Sequence, residues 1–274
     1  MTTALRTRFI RKSLFILLML AGAAAAFARG KALPPDAQSK LLAGILAETA
    51  KAAAAGKSPA VAFDIDDTLL LTAPRTKAIL LEFAGKHAER YPGFADQVSR
   101  LDPNTMPHGI AEVLKLLEIG DQERVTELKK YWLPRFLSND YLTFDWPLPG
   151  SLEFIVGLRA KGAAVFYVTA RSPEKMREGT EKALRHFGFP LDERAQLLMN
   201  DTHKPAPEFK GKRTAELAKT HRMTGLFENE PDNINAMHRA DPKAQAVFLD
   251  TVHGNAAGPV DEGVPWIKNY RLKP

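Results

Sequence analysis

Three carboxylates stand within four positions, Asp64-Ile65-Asp66-Asp67, directly after the apolar run Pro59-Ala60-Val61-Ala62-Phe63. A short continuous apolar run of this kind reads as a buried strand, and it delivers its acids into one small loop at the strand's end. Two carboxylates about 4 Å apart repel by about 4 kcal/mol at an effective dielectric near 20, so the loop needs a counter-charge. A hard divalent cation with oxygen ligands, Mg2+ above all, meets that need. An Asp-rich turn that only caps the next segment needs one or two acids, not three. A second apolar run, Val165-Phe166-Tyr167-Val168, ends in Thr169-Ala170-Arg171. The Thr169 hydroxyl can donate to a phosphoryl oxygen, and the start of the following helix adds backbone N–H groups. Capping that helix before Ser172-Pro173 is the alternative use of Thr169. Arg171 can reach a phosphate or a nearby acid.

The elements that must position these groups follow from the pattern of apolar residues. An Ala- and Leu-rich helix, with Asp36 as its cap, runs to about Ala55, where Gly56 and Pro59 stop it. From about Thr72 to Tyr141 the apolar spacing is helical, as in Ile79, Leu80, Phe83 and in Ile110, Val113, Leu114, Leu117. Beyond that block, helices at about 151–161, 173–187, 210–221 and 234–238 alternate with strands at about 163–168, 196–199, 224–227 and 246–249. Alternation of this kind predicts an α/β fold with a Rossmann-like, doubly wound parallel sheet, its ligands at the carboxyl ends of the strands. The helical block falls between the first and second core strands and reads as an inserted cap. The expected division is 29–72 and 142–274 for the core and 73–141 for the cap.

The run Val61-Ala62-Phe63-Asp64-Ile65-Asp66-Asp67-Thr68 resembles the first motif of the haloacid dehalogenase superfamily of phosphohydrolases. Val165 to Arg171 resembles the second motif, and Phe227-Glu228-Asn229-Glu230-Pro231-Asp232-Asn233 the fourth, in the family's order. The resemblance spans about residues 58 to 250. It implies that Asp64 attacks phosphorus and that Asp66 is the general acid and base, with Thr169 binding phosphate. It also implies Mg2+ held by Asp64, by Asp66 through its backbone carbonyl, and by Glu228 and Asp232, acids four apart; Glu230 lies between and could substitute. An acid at Asp66 argues against a dehalogenase, because halide leaves without a proton. The family's third motif is a phosphate-binding lysine, for which Lys210 is the choice, with Lys212 and Lys204 still open. The expected activity is hydrolysis of a small-molecule phosphate monoester through an aspartyl-phosphate. A phosphotransferase or phosphomutase, or a non-catalytic secreted binding protein, are the rivals.

Composition narrows the remainder. Of 274 residues, 45% are hydrophobic and 26% charged, the balance of a folded domain and not of a disordered or fibrous chain. With no cysteine, the chain has no disulfide, thiolate metal site or cysteine nucleophile. The seven histidines show no ligand spacing. Of the net charge of +6, four units belong to Arg6, Arg8, Arg11 and Lys12 in the acid-free first 28 residues, leaving +2 for the rest and little support for nucleic-acid binding. Those basic residues precede an apolar run from Leu14 to Ala28 that ends in Ala26-Phe27-Ala28. The pattern is that of a signal peptide over residues 1–28, cleaved after Ala28, because a membrane span needs about 20 apolar residues; an uncleaved anchor is the alternative. The expected location is periplasmic or secreted, with no stable membrane association after cleavage. Trp132, Phe136, Tyr141, Phe144 and Trp146 gather where the cap rejoins the core and read as hinge packing, with an aromatic lid over the substrate as the alternative.

Overall fold

The computed structural model describes residues 32–254 and 258–273, so the leader expected at 1–28 lies outside the described residues. Six strands form one parallel sheet in the order β5-β4-β1-β6-β7-β8. They are β1 (Pro59–Phe63), β4 (Ala164–Thr169), β5 (Ala195–Met199), β6 (Arg222–Glu228), β7 (Gln245–Leu249) and β8 (Trp266–Ile267). All five residues of β1 are buried, because it lies between β4 and β6, with Phe63 opposite both Tyr167 and Phe227. A central parallel strand covered on both faces must be apolar throughout, which is why its sequence does not alternate.

Helices cover both faces. Leu42 and Ile45 of α1 (Pro35–Ala54) and Phe154, Ile155 and Leu158 of α6 (Ser151–Ala160) pack with Phe63, Val165 and Phe227 on one side. On the other side, Phe209 of α8 (Ala206–Leu217) and Ile234 and Met237 of α9 (Pro231–Ala240) pack with Ala62, Phe166 and Leu226. Pro35, and not Asp36, opens α1, whose cap position is Pro34; Asp36 lies in the first turn and makes no capping bond. α8 begins at Ala206, four residues ahead of the expected start, since Pro205 precedes its first turn and Lys210 therefore lies inside the helix. The short β8 carries no periodicity that sequence reading could detect.

Four helices between β1 and β4 build a separate apolar cluster. These are α2 (Ala73–Lys86), α3 (Phe94–Ser99), α4 (Ile110–Leu116) and α5 (Gln122–Phe136), meeting through Ile79, Phe83, Phe94, Val113, Leu128 and Trp132. The chain leaves and re-enters the core through a two-stranded antiparallel ribbon, β2 (Leu70–Leu71) with β3 (Trp146–Pro147), after a 3-10 turn at Leu142–Phe144. Trp132 stacks on Phe136 with centroids 4.4 Å apart, whereas Phe144 and Trp146 are each 48% exposed. The hinge packing expected of the five aromatics therefore holds for the first pair and fails for the last two. Among the described residues, no helix is long and apolar enough to cross a membrane.

The return linker is seated on α7 (Pro173–His186) by a close backbone approach: Gly179 N–H donates to Asn139 Oδ1 at 2.7 Å. A Cβ at Gly179 would lie 2.6 Å from the Cα of Asn139. Gly179→Ala is expected to destabilise the protein by about 1–3 kcal/mol through overpacking. Thermal unfolding checks this, and an unchanged midpoint would show that the linker is not seated this way.

Candidate active site

The acidic loop sits at the carboxyl end of β1, the sheet's switch point, between the ends of β4 and β6. Its backbone turns tightly: the N–H groups of Leu69 and Leu70 both donate to Ile65 O at 2.9 Å. Asp67 takes φ 55°, a left-handed conformation that Asp tolerates better than most side chains. That turn sends the three carboxylates in different directions, each to its own partner.

Asp64 is 5% exposed. Lys210, buried in α8, donates from Nζ to Asp64 Oδ1 at 2.6 Å and also to Glu228 Oε2. Burial pushes Lys210 down, but the carboxylates of Asp64 and Glu228 outweigh it and hold the ammonium charged. Burial, with Glu228 nearby, pushes Asp64 up to about 7. Lys210 thus leaves Asp64 short of counter-charge. Glu228 is fully buried, and its other oxygen accepts the backbone N–H groups of Asn229 and Glu230, each at 3.0 Å.

Asp66 turns to two arginines. Arg171 donates Nε to Oδ2 at 2.9 Å and Nη2 to Oδ1 at 2.8 Å, while Arg75 donates Nη2 to Oδ1 at 2.8 Å. Burial raises Asp66, but Arg171 and Arg75 outweigh it and hold the carboxyl far below its usual range. Asp67 faces away, accepting the N–H of Thr72 at 2.9 Å and its hydroxyl at 2.9 Å. Burial pushes Asp67 up to about 7. Thr68 donates its hydroxyl to Asn229 Oδ1 at 2.9 Å, and Thr251 donates to the Asp67 carbonyl at 2.6 Å.

The expected residues therefore divide. Asp64, Lys210 and Glu228 meet directly, and Arg171 joins Asp66. Thr169 is buried at the end of β4, where its hydroxyl accepts the Arg171 N–H at 3.3 Å. Lys212 points outward to Glu216 at 3.9 Å and Lys204 pairs on the surface with Glu208, so burial singles out Lys210 among the three lysines. Asp232 is exposed in the first turn of α9. Sequence reasoning missed Arg75 and Asp145, both fully buried and paired. An acid set between Phe144 and Trp146 was the one available signal.

Cations within the chain supply much of the counter-charge that the crowded acids led one to expect from a metal. Among the described residues, no group of three or more His, Asp or Glu is gathered as for a metal ion. The cluster still fits a divalent cation. Among the described residues, Asp64, Asp66, Asp145 and Glu228 pair only with Lys210, Arg75 and Arg171, an excess of one negative charge if all ionise. Every available donor is a hard oxygen, which suits Mg2+. Of the four expected ligands, Glu228 and Asp66 have both carboxylate oxygens engaged, while Asp64 Oδ2 and Asp232 accept no hydrogen bond among the described residues.

A cleft of about 610 Å3 opens beside this loop, between segment 103–108 of the helical block and segments 250–253 and 268–269. His108 and His253 line it, and burial together with His253 pushes His108 down. Two of the seven histidines, which show no ligand spacing in the sequence, thus stand beside the acidic loop. A groove of about 710 Å3 between α1 and the starts of β6 and β7 lies at the amino end of the sheet, away from the acids.

Residues 142–249 match the model of the HAD superfamily, subfamily IIIB (Acid phosphatase). Over that span, which is less than half of the chain, the sequence is similar to phosphatases of the haloacid dehalogenase superfamily, and the parallel sheet and the motif order agree with that likeness. The matched span holds Thr169, Arg171, Lys210, Glu228 and Asp232 but not the loop of Asp64. No curated protein matches the chain. Among solved structures, a protein from Clostridium difficile described as a phosphatase is 11% identical, with 73% of this chain and 89% of that one covered and a TM-score of 0.48. A haloacid dehalogenase-like family hydrolase from Streptococcus pneumoniae is 9% identical over 73% and 88%, with a TM-score of 0.45. CbbY from Rhodobacter sphaeroides, solved in complex with phosphate, is 16% identical over 78% and 95%, with a TM-score of 0.44. These likenesses are too loose to carry residue roles.

Asp67 gives a test of the loop's electrostatics. Its pKa rises from 3.8 to about 7 on folding, so between those values the folded state binds more protons and stability falls as pH rises. Asp67→Asn keeps an acceptor for Thr72 and tolerates the left-handed backbone, but has no proton to lose. With a chelator present, the variant's melting temperature should gain on the wild type as pH goes from about 5 to about 8. Parallel curves would show that Asp67 carries no such penalty.

Proposed function

We propose that this chain is an exported, Mg2+-dependent phosphomonoester hydrolase that works through an aspartyl-phosphate on Asp64. The observation that carries the reading is the contact of Lys210 Nζ with Asp64 Oδ1 at 2.6 Å, at the carboxyl end of the central strand. It fixes one carboxylate oxygen and leaves the other free to attack. Attack on phosphorus forms the new P–O bond to Asp64 as the ester P–O bond breaks; Asp66, which Arg171 and Arg75 hold ionised here, must turn from them and take up a proton from solvent, which it gives to the departing alkoxide. Asp66 then takes a proton from water as that water attacks the acyl phosphate, which restores Asp64 and releases phosphate. Covalent catalysis splits one difficult displacement into two. Proton transfer of this sort contributes about 10²–10⁴-fold.

Lys210 and the Thr169 hydroxyl offset charge on the phosphoryl oxygens, as in other phosphoryl transfers. Asp64, Asp232 and the backbone carbonyl of Asp66 would hold Mg2+, which when bound neutralises phosphoryl charge. Residues 73–141 act as the cap, and the 610 Å3 cleft beside His108 and His253 receives the leaving group. The leader at 1–28 and the absence of cysteine support a periplasmic or secreted location.

The experiment is phosphate release from a panel of sugar phosphates, nucleotides, phosphoamino acids and phospholipid headgroups, with and without chelator. Wild type should release phosphate and lose activity with the chelator. Asp64→Asn should stay folded and lose more than about 10³-fold. Turnover retained by Asp64→Asn would rule out the scheme.

A further inference from the structure

The arginine that holds Asp66 is itself held, by groups that touch neither nucleophile nor phosphate site. Arg75 lies in the first turn of α2 and is fully buried. It donates Nε to Asp145 Oδ1 at 2.8 Å and Nη2 to Asp145 Oδ2 at 2.5 Å. Its Nη1 donates to the Phe136 carbonyl at 3.2 Å, and its guanidinium lies 4.4 Å from the centre of the Phe136 ring. Only Nη2 is shared with Asp66. Asp145, also fully buried, takes a further contact from Arg171 Nη2 at 3.3 Å, and Arg171 in turn donates to Thr180 Oγ1 at 3.0 Å.

A guanidinium is a rigid planar fork, so acceptors fixed on two of its edges set the direction of the remaining N–H. Stability does not demand this arrangement, because buried ion networks are often no more stable than apolar residues of the same volume. What the network does supply is orientation. Arg75 opens the helical block, Phe136 ends its last helix, and Asp145 lies on the strand of chain that returns to the core. One side chain therefore joins both ends of the block to the carboxylate beside the nucleophile.

We propose that Arg75 and Asp145 are positioning residues: Asp145 and the Phe136 carbonyl fix Arg75, Arg75 with Arg171 fixes the place beside the nucleophile from which the Asp66 carboxylate turns to the leaving oxygen once it takes up a proton, and the seating of the cap and the place of the general acid are thereby set together. The proposal rests on the reading of Asp66 as acid and base. A group that acts through Asp66 matters most where the leaving group needs a proton.

The test compares p-nitrophenyl phosphate, whose leaving group departs without a proton, with a simple alkyl phosphate, whose leaving group needs one. Asp145→Asn should lower kcat/KM on the alkyl phosphate about 10–100-fold, while kcat/KM on the aryl ester, which ends at cleavage of the ester bond, falls by less than about 3-fold. Inhibition by inorganic phosphate should be little changed. Asp66→Asn should show the same selectivity in kcat/KM, more strongly. Equal losses of kcat/KM on the two esters in Asp145→Asn, or no loss on the alkyl phosphate, would overturn the proposal. Should Asp145→Asn not fold, the charge-free pair Arg75→Gln with Asp145→Asn takes its place under the same criteria. If Asp66→Asn shows no leaving-group selectivity, the acid and base reading fails and this proposal with it. If Asp66→Asn is selective and the Asp145 variant is not, only the positioning role fails.

Discussion

A single buried ammonium holds the end of the central strand in order. Lys210 touches Asp64 from β1 and Glu228 from β6, two carboxylates that would otherwise repel across adjacent strand ends. An unpaired charge in such a place is costly, so the three groups depend on one another and on α8, which carries the lysine. The fold serves this contact: a wholly apolar β1 brings the acid up through the core, and helices on both faces keep water from the strands beneath it.

Around that contact the charges are sorted by residue. Asp64 is left with one oxygen free of hydrogen bonds among the described residues, Asp66 is held by arginines, and Asp67 serves the turn that leads into α2. Adjacent acids acquire different tasks because a left-handed residue at Asp67 turns the backbone between them. The same turn leads into the ribbon of β2 and β3, so the geometry of the acids and the hinges of the helical block share one short piece of chain.

The core was legible in the sequence because buried parallel strands are continuous apolar runs and the helices between them keep their period. Asp64, Thr169 and Glu228 could be placed because each follows such a run directly, and Asp66 because it lies two residues beyond Asp64. Lys210 could be singled out only as one of three, since burial decides among them and burial is a tertiary fact. Arg75 and Asp145 stand 70 positions apart, and no local pattern announces a pair whose partners meet only after the helical block has folded back. Crowded acids correctly demanded positive charge. That much of it would come from within the chain was not visible, because the arginines answer Asp66 from α2 and from the loop after β4.

The most direct measurement is borohydride reduction of the enzyme during turnover of an aryl phosphate, followed by peptide mass spectrometry. An acyl phosphate on an aspartate is reduced to homoserine, and the account places that product at position 64 alone. Reduction at position 66, or none at position 64 while phosphate is being released, would contradict it.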